Sequence, residues 1–216
     1  MQQDCFAFYD GIWSTKQNDR IVDLAGGLGD AILSSSVKPS SSSISFVDKA
    51  VCFDTTNLNA GFEHAFGTGD LTFEIVAQVD KTYGNEVCFG IMTDNPWLGI
   101  NIDQATYVRY TMRSGYDVDF NNVDLIAKPT YYAASRSKDG VVRFWRNGSL
   151  LREDSSIATY NYPLKQVLIG IWHSGEASKP LGSIIGKMFR ASIYKRVLDA
   201  TEIKKNYAAD VERFNI

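Results

Sequence analysis

The sequence has little cysteine, histidine and proline, and no long apolar run. Its three cysteines, Cys5, Cys52 and Cys88, allow one disulfide at most, and we expect them to be buried free thiols. With no Cys-x-x-Cys pair and only two histidines, a zinc-type cluster is not expected. Because no stretch of 18 apolar residues occurs, we predict no membrane insertion.

The sequence also lacks an excess of basic charge. It has 22 Lys and Arg against 25 Asp and Glu among 216 residues, which gives a formal net charge of −3. Nucleic acid is therefore not an expected partner. Apolar residues make up 44% of the chain, which is typical of a globular protein, and the length suffices for one core. We predict a single domain over residues 1–216, with the serine-rich stretch 34–45 as a loop within it.

Short strand-like segments separated by turn residues fill most of the chain. Residues 71–80 alternate between apolar and polar positions, which predicts a half-buried strand. Residues 86–92 and 166–172 are apolar at nearly every position and are predicted to be central strands. Two turn dipeptides, Asp139-Gly140 and Asn147-Gly148, predict a three-stranded meander over 129–153.

The sequence predicts one helix, over residues 199–214. Asp199 is a good N-cap, and Glu202 follows three positions later, as in a capping box. Ile203 and Tyr207 share a face of this helix. About a dozen short strands and one terminal helix indicate an all-β protein, and we expect two packed antiparallel sheets.

Several motifs, taken in order, resemble the laminin-G-like and pentraxin-like branch of the concanavalin A-like lectin/glucanase superfamily. VDLAGGLGDAIL (22–33) is similar to its first glycine-rich loop, and FGTGDLTFEIVAQV (66–79) to an early strand. YYAASRSKDGVVRFWRNGSLL (131–151) is similar to its central hairpins, and the segment 168–207 to its closing motif. The matching positions include Asp23, Gly26, Gly29, Asp30, Gly69, Asp70, Thr72, Glu74, Gly170, Gly186, Ile193, Tyr194, Leu198, Glu202 and Ile203.

This resemblance covers about residues 5–207 and implies a jelly-roll β-sandwich of two curved antiparallel sheets with a short C-terminal helix. It also implies calcium as a candidate ion, with Asp23 and Asp30 as its candidate ligands. Against calcium, the acidic pair of the family's closing motif is replaced here by Phe189 and Arg190. The alternative for Asp23 and Asp30 is that they stabilise turns beside the glycines.

Catalysis is not expected from these residues. The glucanase branch uses Glu-x-Asp-x-x-Glu on a strand, so that two carboxylates share a face, and this motif is absent. The nearest pair, Asp117 and Asp119, is interpreted as a solvated strand face. No Gly-x-Ser-x-Gly elbow or phosphate-binding loop occurs.

Sugar binding requires exposed aromatic rings beside polar groups. Candidates are the aromatic residues in or near predicted turns and strand ends, together with one histidine: Trp97, Tyr116, Tyr160, Tyr162, Trp172 and His173. The alternative for each of them is an ordinary core or surface residue, and for each one taken alone this alternative is favoured.

The sequence therefore predicts a non-catalytic recognition or structural module whose partner is a glycan or another surface protein. The N-terminal residues do not resemble a signal peptide, which favours a protein assembled inside a cell and exposed by lysis. A phage virion protein fits this description, as a capsid decoration, head fibre or tail adhesin assembled in the host cytoplasm. The alternatives are a secreted or cell-surface bacterial lectin and a cryptic glycoside-active enzyme.

Overall fold

A computed structural model describes most strands of the chain and its C-terminal helix. The described residues are 4–10, 20–27, 30–33, 45–47, 49–56, 58–60, 69–83, 86–92, 97–103, 107–111, 117–121, 128–155, 166–173 and 180–216. Side chains are described in 4–10, 22–27, 30, 49–50, 69–80, 128–155 and 186–216. The serine-rich residues 34–44 lie outside the described part, and Ser45 begins a strand.

The described part of the chain contains sixteen strands followed by one helix. The strands are β1 Ala7–Asp10, β2 Arg20–Ile21, β3 Ala31–Leu33, β4 Ser45–Val47, β5 Ala50–Thr56, β6 Leu58–Ala60, β7 Leu71–Tyr83, β8 Glu86–Met92, β9 Trp97–Asp103, β10 Tyr107–Thr111, β11 Asp117–Asn121, β12 Thr130–Arg136, β13 Val142–Arg146, β14 Ser149–Asp154, β15 Gln166–His173 and β16 Pro180–Tyr194. The helix, α1, is Ala200–Phe214. This confirms the prediction of an all-β sandwich with a C-terminal helix.

The strands form two antiparallel halves that meet at the long strand β16. The main hydrogen-bonded path runs β11-β10-β9-β8-β15-β16-β7-β12-β13-β14. We call β16, β7, β12, β13 and β14, with β1, β4 and β5, the α1 sheet. We call β15, β8, β9, β10 and β11, with β6, β3 and β2, the β9 sheet. β7 and β12 of the first sheet approach β8 and β9 of the second without pairing with them, as in a sandwich.

Strands β8 and β15, which correspond to the segments 86–92 and 166–172, are paired neighbours in the interior of the strand order. Phe89 lies directly opposite Ile169, and β9 and β16 continue the path on either side. Both strands are therefore central in the strand order, as predicted, whereas the further prediction that both of their faces are covered concerns side chains outside the described set.

Strand β7 is buried on both faces along most of its length. Phe73 and Ile75 are buried on one face, as the alternation predicts, but Thr72 and Glu74 on the other face are also fully buried. The prediction of a half-buried strand was therefore wrong. The reason is that α1 covers the second face, so polar residues there lie under the helix instead of in water.

The predicted meander is confirmed as β12, β13 and β14. Gly140 has φ +85°, and at the second turn Asn147 and Gly148 have φ +48° and +73°. Positive φ at both central residues is the requirement of a tight type I′ hairpin. A Cβ on Gly148 would also lie 2.9 Å from the Tyr207 ring of α1, so this turn has room only for glycine.

Helix α1 begins as the sequence predicts. The Asp199 carboxylate accepts hydrogen bonds from the backbone N–H groups of Thr201 and Glu202, and Glu202 accepts one from the backbone of Asp199. The apolar side of α1 packs on the α1 sheet. Together they form a cluster of Ala50, Val76, Tyr131, Ala133, Trp145, Phe189, Tyr194, Leu198, Ile203 and Phe214.

A buried ion network lies between α1 and this sheet, with Arg190 of β16 at its centre. The Arg190 guanidinium donates to both carboxylate oxygens of Asp210 on α1, at 2.6–2.9 Å. It also donates to Glu74 of β7 at 3.0 Å. The exposed fractions of the Arg190, Glu74 and Asp210 side chains are 1%, 0% and 5%, so the whole group is removed from water.

Three neutral side chains complete the hydrogen bonding of Glu74. Tyr131 donates to it at 2.5 Å, and Ser192 and Asn206 each donate at 2.9 Å. Burial and the charge of Glu74 raise the pKa of Tyr131 well above its usual value, so the phenol remains a donor. Although burial opposes it, the charges of Asp210 and Glu74 raise the pKa of Arg190 well above its usual value. The network therefore contains one permanent cation and two acids.

Further polar contacts fasten both ends of α1. Near its start, the Leu198 N–H donates to the Thr72 hydroxyl at 3.0 Å. Near its end, Arg213 forms a 2.6 Å ion pair with Asp10, whose side chain is fully buried. Lys49 donates to the Arg213 carbonyl at 2.7 Å, which satisfies one of the last free carbonyl groups of the helix. The helix is thus an integral layer of the fold.

Cys5 is a free thiol that donates to the carbonyls of Ala7 and Ile193. Burial raises its pKa to about 11, so at neutral pH it stays protonated and unreactive. The side chains of Cys52 and Cys88 lie outside the described set. Among the described residues, none of the helical structure has the length and apolarity needed to cross a bilayer.

Replacing Arg190 should be strongly destabilising. Arg190→Met leaves Glu74 and Asp210 buried without their cation, and we expect a loss of about 3–5 kcal/mol in the free energy of unfolding. Urea denaturation followed by circular dichroism measures it.

The matched control is Arg196→Met, which breaks an ion pair with Glu202 whose side chains are 35% and 37% exposed. That pair should contribute less than about 1 kcal/mol. Equal losses in the two variants would contradict the central position given to Arg190.

Candidate functional site

The register of the β9 sheet sorts its residues onto two faces of opposite character. Residues directly opposite each other in antiparallel strands share a face, and so do alternate residues of one strand. One face of β8–β11 has only apolar or aromatic residues: Val87, Phe89, Ile91, Leu98, Ile100, Ile102, Val108, Tyr110, Val118 and Phe120. This pattern predicts that it faces the core, where β7 and β12 lie.

The other face is predominantly polar, and we call it the polar face. It consists of Glu86, Cys88, Gly90, Met92, Trp97, Gly99, Asn101, Asp103, Tyr107, Arg109, Thr111, Asp117, Asp119 and Asn121. From strand spacing and rise, its four strands span about 14 Å across and about 20 Å along β9. The alternation of the sequence predicts that this face is on the outside of the sandwich.

Two glycines lie opposite each other near the middle of the polar face. Gly90 of β8 pairs with Gly99 of β9, and Thr111 of β10 is the next residue across. Glycine inside a strand commonly marks a place where a ligand or another backbone comes close. Trp97 is two residues from Gly99 on the same strand and the same face. An aromatic residue thus adjoins a patch that lacks side chains.

Hydrogen-bonding residues continue the polar face on the other side of the two glycines. Asn101, Arg109 and Asp119 lie directly opposite one another on β9, β10 and β11. Opposite residues in neighbouring strands have Cβ atoms about 4.5–5.5 Å apart, so these three residues hold adjacent positions in one row of the sheet. Such a row suits a ligand with several hydroxyl groups.

The last row of the polar face, at the end of the sheet away from Trp97, pairs two acids. Glu86 of β8 is directly opposite Asp103 of β9, and Tyr107 and Asn121 continue the row. The interpretation of Asp117 and Asp119 as a polar strand face agrees with the register, since both belong to the polar face.

The aromatic residues predicted from the sequence do not form one group. Trp97 begins β9 and lies opposite Met92, which is also the partner of Gln166 at the start of β15. Trp172 lies six residues further along β15, which corresponds to about 20 Å. Trp172 and His173 therefore lie at the opposite end of the sheet, opposite Gly182 and Pro180 of β16. Tyr116, Tyr160 and Tyr162 lie outside the described residues.

Asp23 and Asp30 lie in a turn at the edge of the fold and accept backbone hydrogen bonds. Asp23 Oδ1 accepts from the N–H groups of Phe8 and Ala25, at 2.9 and 3.0 Å. Asp30 Oδ1 accepts from the Asp23 N–H at 3.2 Å. These contacts join the turn to β1. A Cβ on Gly27 would lie 2.1 Å from the Phe6 carbonyl oxygen, so glycine is required there.

The same two acids influence a neighbouring phenol. Tyr9, which forms an isolated bridge with Asp23, is fully buried. Burial, and then the charges of Asp23 and Asp30, raise its pKa. Among the described side chains, no group of three or more His, Cys, Asp or Glu residues could bind a metal. Calcium at Asp23 and Asp30 stays a prediction, and the turn contacts explain both residues without it.

The polar face is indicated in the sequence by the alternation of residues along three strands, and not by the aromatic residues in predicted turns. The segments LGINID (98–103), YVRYT (107–111) and DVDFN (117–121) alternate between apolar residues and polar or small ones, with Tyr107 and Tyr110 as aromatic members. The sequence alone does not show how the three strands pair. Only their register brings the polar positions of all three onto the same face.

Comparison with solved structures shows a shared fold. The chain is similar to Trypanosoma rangeli sialidase in complex with sialic acid, with a TM-score of 0.71 at 13% identity over 97% of this chain and 33% of that one. It is also similar to the botulinum neurotoxin serotype G binding domain, with a TM-score of 0.63 at 13% identity over 95% and 51%. The chain thus spans between a third and a half of these structures. No protein-family model and no curated protein matches the sequence.

Asp23→Ala should destabilise the protein whether or not calcium is present. It removes the acceptor of two backbone N–H groups, one of them buried, and we expect a loss of about 1–3 kcal/mol. Urea denaturation in chelator and in millimolar calcium measures the loss. If calcium stabilises the wild type and Asp23→Ala abolishes that response, the metal interpretation is correct instead.

Proposed function

We propose that the protein is a non-catalytic carbohydrate-binding module and that the glycan binds on the polar face. The observation that carries the proposal is the Gly90–Gly99 pair beside Trp97. The glycine patch gives a sugar ring access to the sheet, and the indole supplies an apolar surface for its C–H groups. Asn101, Arg109 and Asp119 supply donors and acceptors for hydroxyl groups.

The structural neighbours support a carbohydrate ligand. One of them is a sialidase in complex with sialic acid, and another is a toxin receptor-binding domain. The resemblance to concanavalin A-like lectins, stated from the sequence, points to the same class. Fold alone does not determine function, so the proposal depends on the residues of the polar face.

Glycoside hydrolysis is the second candidate function, and one observation favours it. Glu86 and Asp103 lie directly opposite each other, a spacing compatible with the two carboxyl groups of a glycosidase. We prefer binding because this pair lies four residues along β8 from the glycine patch, at the end of the sheet away from Trp97.

Trp97→Ala should abolish or strongly weaken glycan binding. Loss of the stacking surface is expected to reduce affinity at least tenfold, by analogy with aromatic anchors in other binding sites. A glycan array identifies ligands, and calorimetry with the best one compares the variants. Leu150→Ala, which removes an apolar side chain 49% exposed on the α1 sheet, is the control and should bind as the wild type does.

The same samples separate binding from hydrolysis. Incubation of the wild type and Glu86→Gln with each bound glycan, followed by mass spectrometry, should reveal no cleavage. Cleavage by the wild type that Glu86→Gln abolishes would favour the enzyme. If Trp97→Ala binds the glycan with unchanged affinity and has a normal melting curve, the proposal that the glycan binds on the polar face is wrong.

We further propose that this module lies on the surface of a phage virion, with another virion protein as its partner. Its two sheets support such a role, because the polar face belongs to one sheet while the other presents the edge strand β14 and the exposed Leu150. One surface is thus available for a glycan and a separate one for a neighbouring protein. The alternative is a secreted or cell-surface lectin.

Localisation distinguishes these forms. We expect mass spectrometry of gradient-purified particles from the source to detect the chain at a fixed ratio to the major capsid protein. Detection on washed cell surfaces instead would favour the secreted lectin. A chain found only as a free cytosolic monomer would contradict both.

A further inference from the structure

We infer that the polar face binds an internal segment of a linear glycan, which crosses the strands along the row of the glycine pair; this inference rests on the proposed function. That row contains one residue from each described strand of the β9 sheet, and we call it the glycine row. From β2 to β11, in the order in which the strands pair, its members are Arg20, Ile32, Asn59, Leu168, Gly90, Gly99, Thr111 and Asp117.

The space without side chains extends across the strands and not along them. Gly90 and Gly99 are directly opposite each other on adjacent strands. Along either strand, the nearest residues of the same face all have side chains: Cys88 and Met92 on β8, Trp97 and Asn101 on β9. A sugar that lies close to the backbone at the glycine pair therefore has more room across the strands than along them.

The glycine row is also the longest row of this face among the described strands. The row beside it, which contains Trp97, has members only on β8, β9 and β15. Neighbouring strands are about 4.8 Å apart, so the five positions of the glycine row from Asn59 to Thr111 span about 19 Å. Because a pyranose residue in an extended chain is about as long as one strand spacing, a glycan of about five residues covers this stretch.

The row continues on both sides of the glycine pair. Leu168 and Asn59 lie beyond the pair on one side, and Thr111 and Asp117 lie beyond it on the other. A sugar at the glycine pair thus has positions for further sugars on either side, as an internal residue of a chain requires. A terminal sugar requires them on one side only.

Affinity should therefore increase with chain length until the row is filled. The experiment is calorimetry of the full chain with cellulose, chitin, mannan and xylan oligosaccharides, from disaccharide to hexasaccharide, beside the glycan array. In the series that binds, we expect affinity to increase at least about tenfold from disaccharide to pentasaccharide, because the added residues contact the row, and to change little beyond it. Methylation of the non-reducing end of the hexasaccharide should leave its affinity unchanged.

Asn59→Ala tests the direction of the chain. Asn59 lies two strands from Gly90 in the glycine row, so only a glycan that crosses the strands reaches it. We expect the affinity for the hexasaccharide to fall about threefold to tenfold, which corresponds to the loss of one hydrogen bond. Affinity for the disaccharide should be unchanged, which also shows that the variant is folded.

The matched control is Asn215→Ala, which removes an exposed amide at the end of α1 and should leave both affinities unchanged. The inference is overturned, with glycan binding intact, by any of three results: equal affinity for disaccharide and hexasaccharide, binding only to terminal sugars of branched glycans, or the same hexasaccharide affinity in Asn59→Ala as in the control. Absence of binding to every glycan of the array would overturn the proposed function, and this inference with it.

Discussion

The buried cation Arg190 joins two strands of the α1 sheet to the helix that covers them. It comes from β16, the strand that belongs to both halves of the strand order, and it contacts Glu74 on β7 and Asp210 on α1. Through Glu74 the network extends to Tyr131 on β12. Burying a charged side chain raises the free energy of the folded state unless all of its partners are buried with it. The helix and the strands that supply these partners must therefore assemble together. The network thus fixes where α1 lies, and apolar packing around Ile203 and Phe214 adds the stability.

This arrangement explains why the two faces of the sandwich differ. The α1 sheet is covered on its outer side by the helix, so its polar residues there pair with each other. The β9 sheet presents a face of acids, amides and small residues along β8–β11, which the sequence pattern places outside. It is on this second face that we propose glycan binding.

Much of the fold could be predicted from local patterns, because these are set by neighbouring residues. The capping box at Asp199 and the turn at Asn147-Gly148 depend on two to four residues, and both are confirmed. The burial of Thr72 and Glu74 could not be predicted, since their cover comes from a helix more than 120 residues away. Trp97 and Trp172 both looked like members of one site, but strand register separates them by most of the length of β15. The single-domain prediction stays a prediction.

The junction between the two sheets has a mechanical consequence. Only the last residues of β15, from Ile171 to His173, pair with the start of β16, whereas β16 pairs with β7 along almost its whole length. A pulling force applied through a ligand on the β9 sheet would reach the α1 sheet through the backbone hydrogen bonds of that short stretch, through chain connections such as the one from β7 to β8, and through the packing of β7 and β12 against β8 and β9. If the protein works as a tether, this junction, rather than the interior of either sheet, sets the load at which it yields.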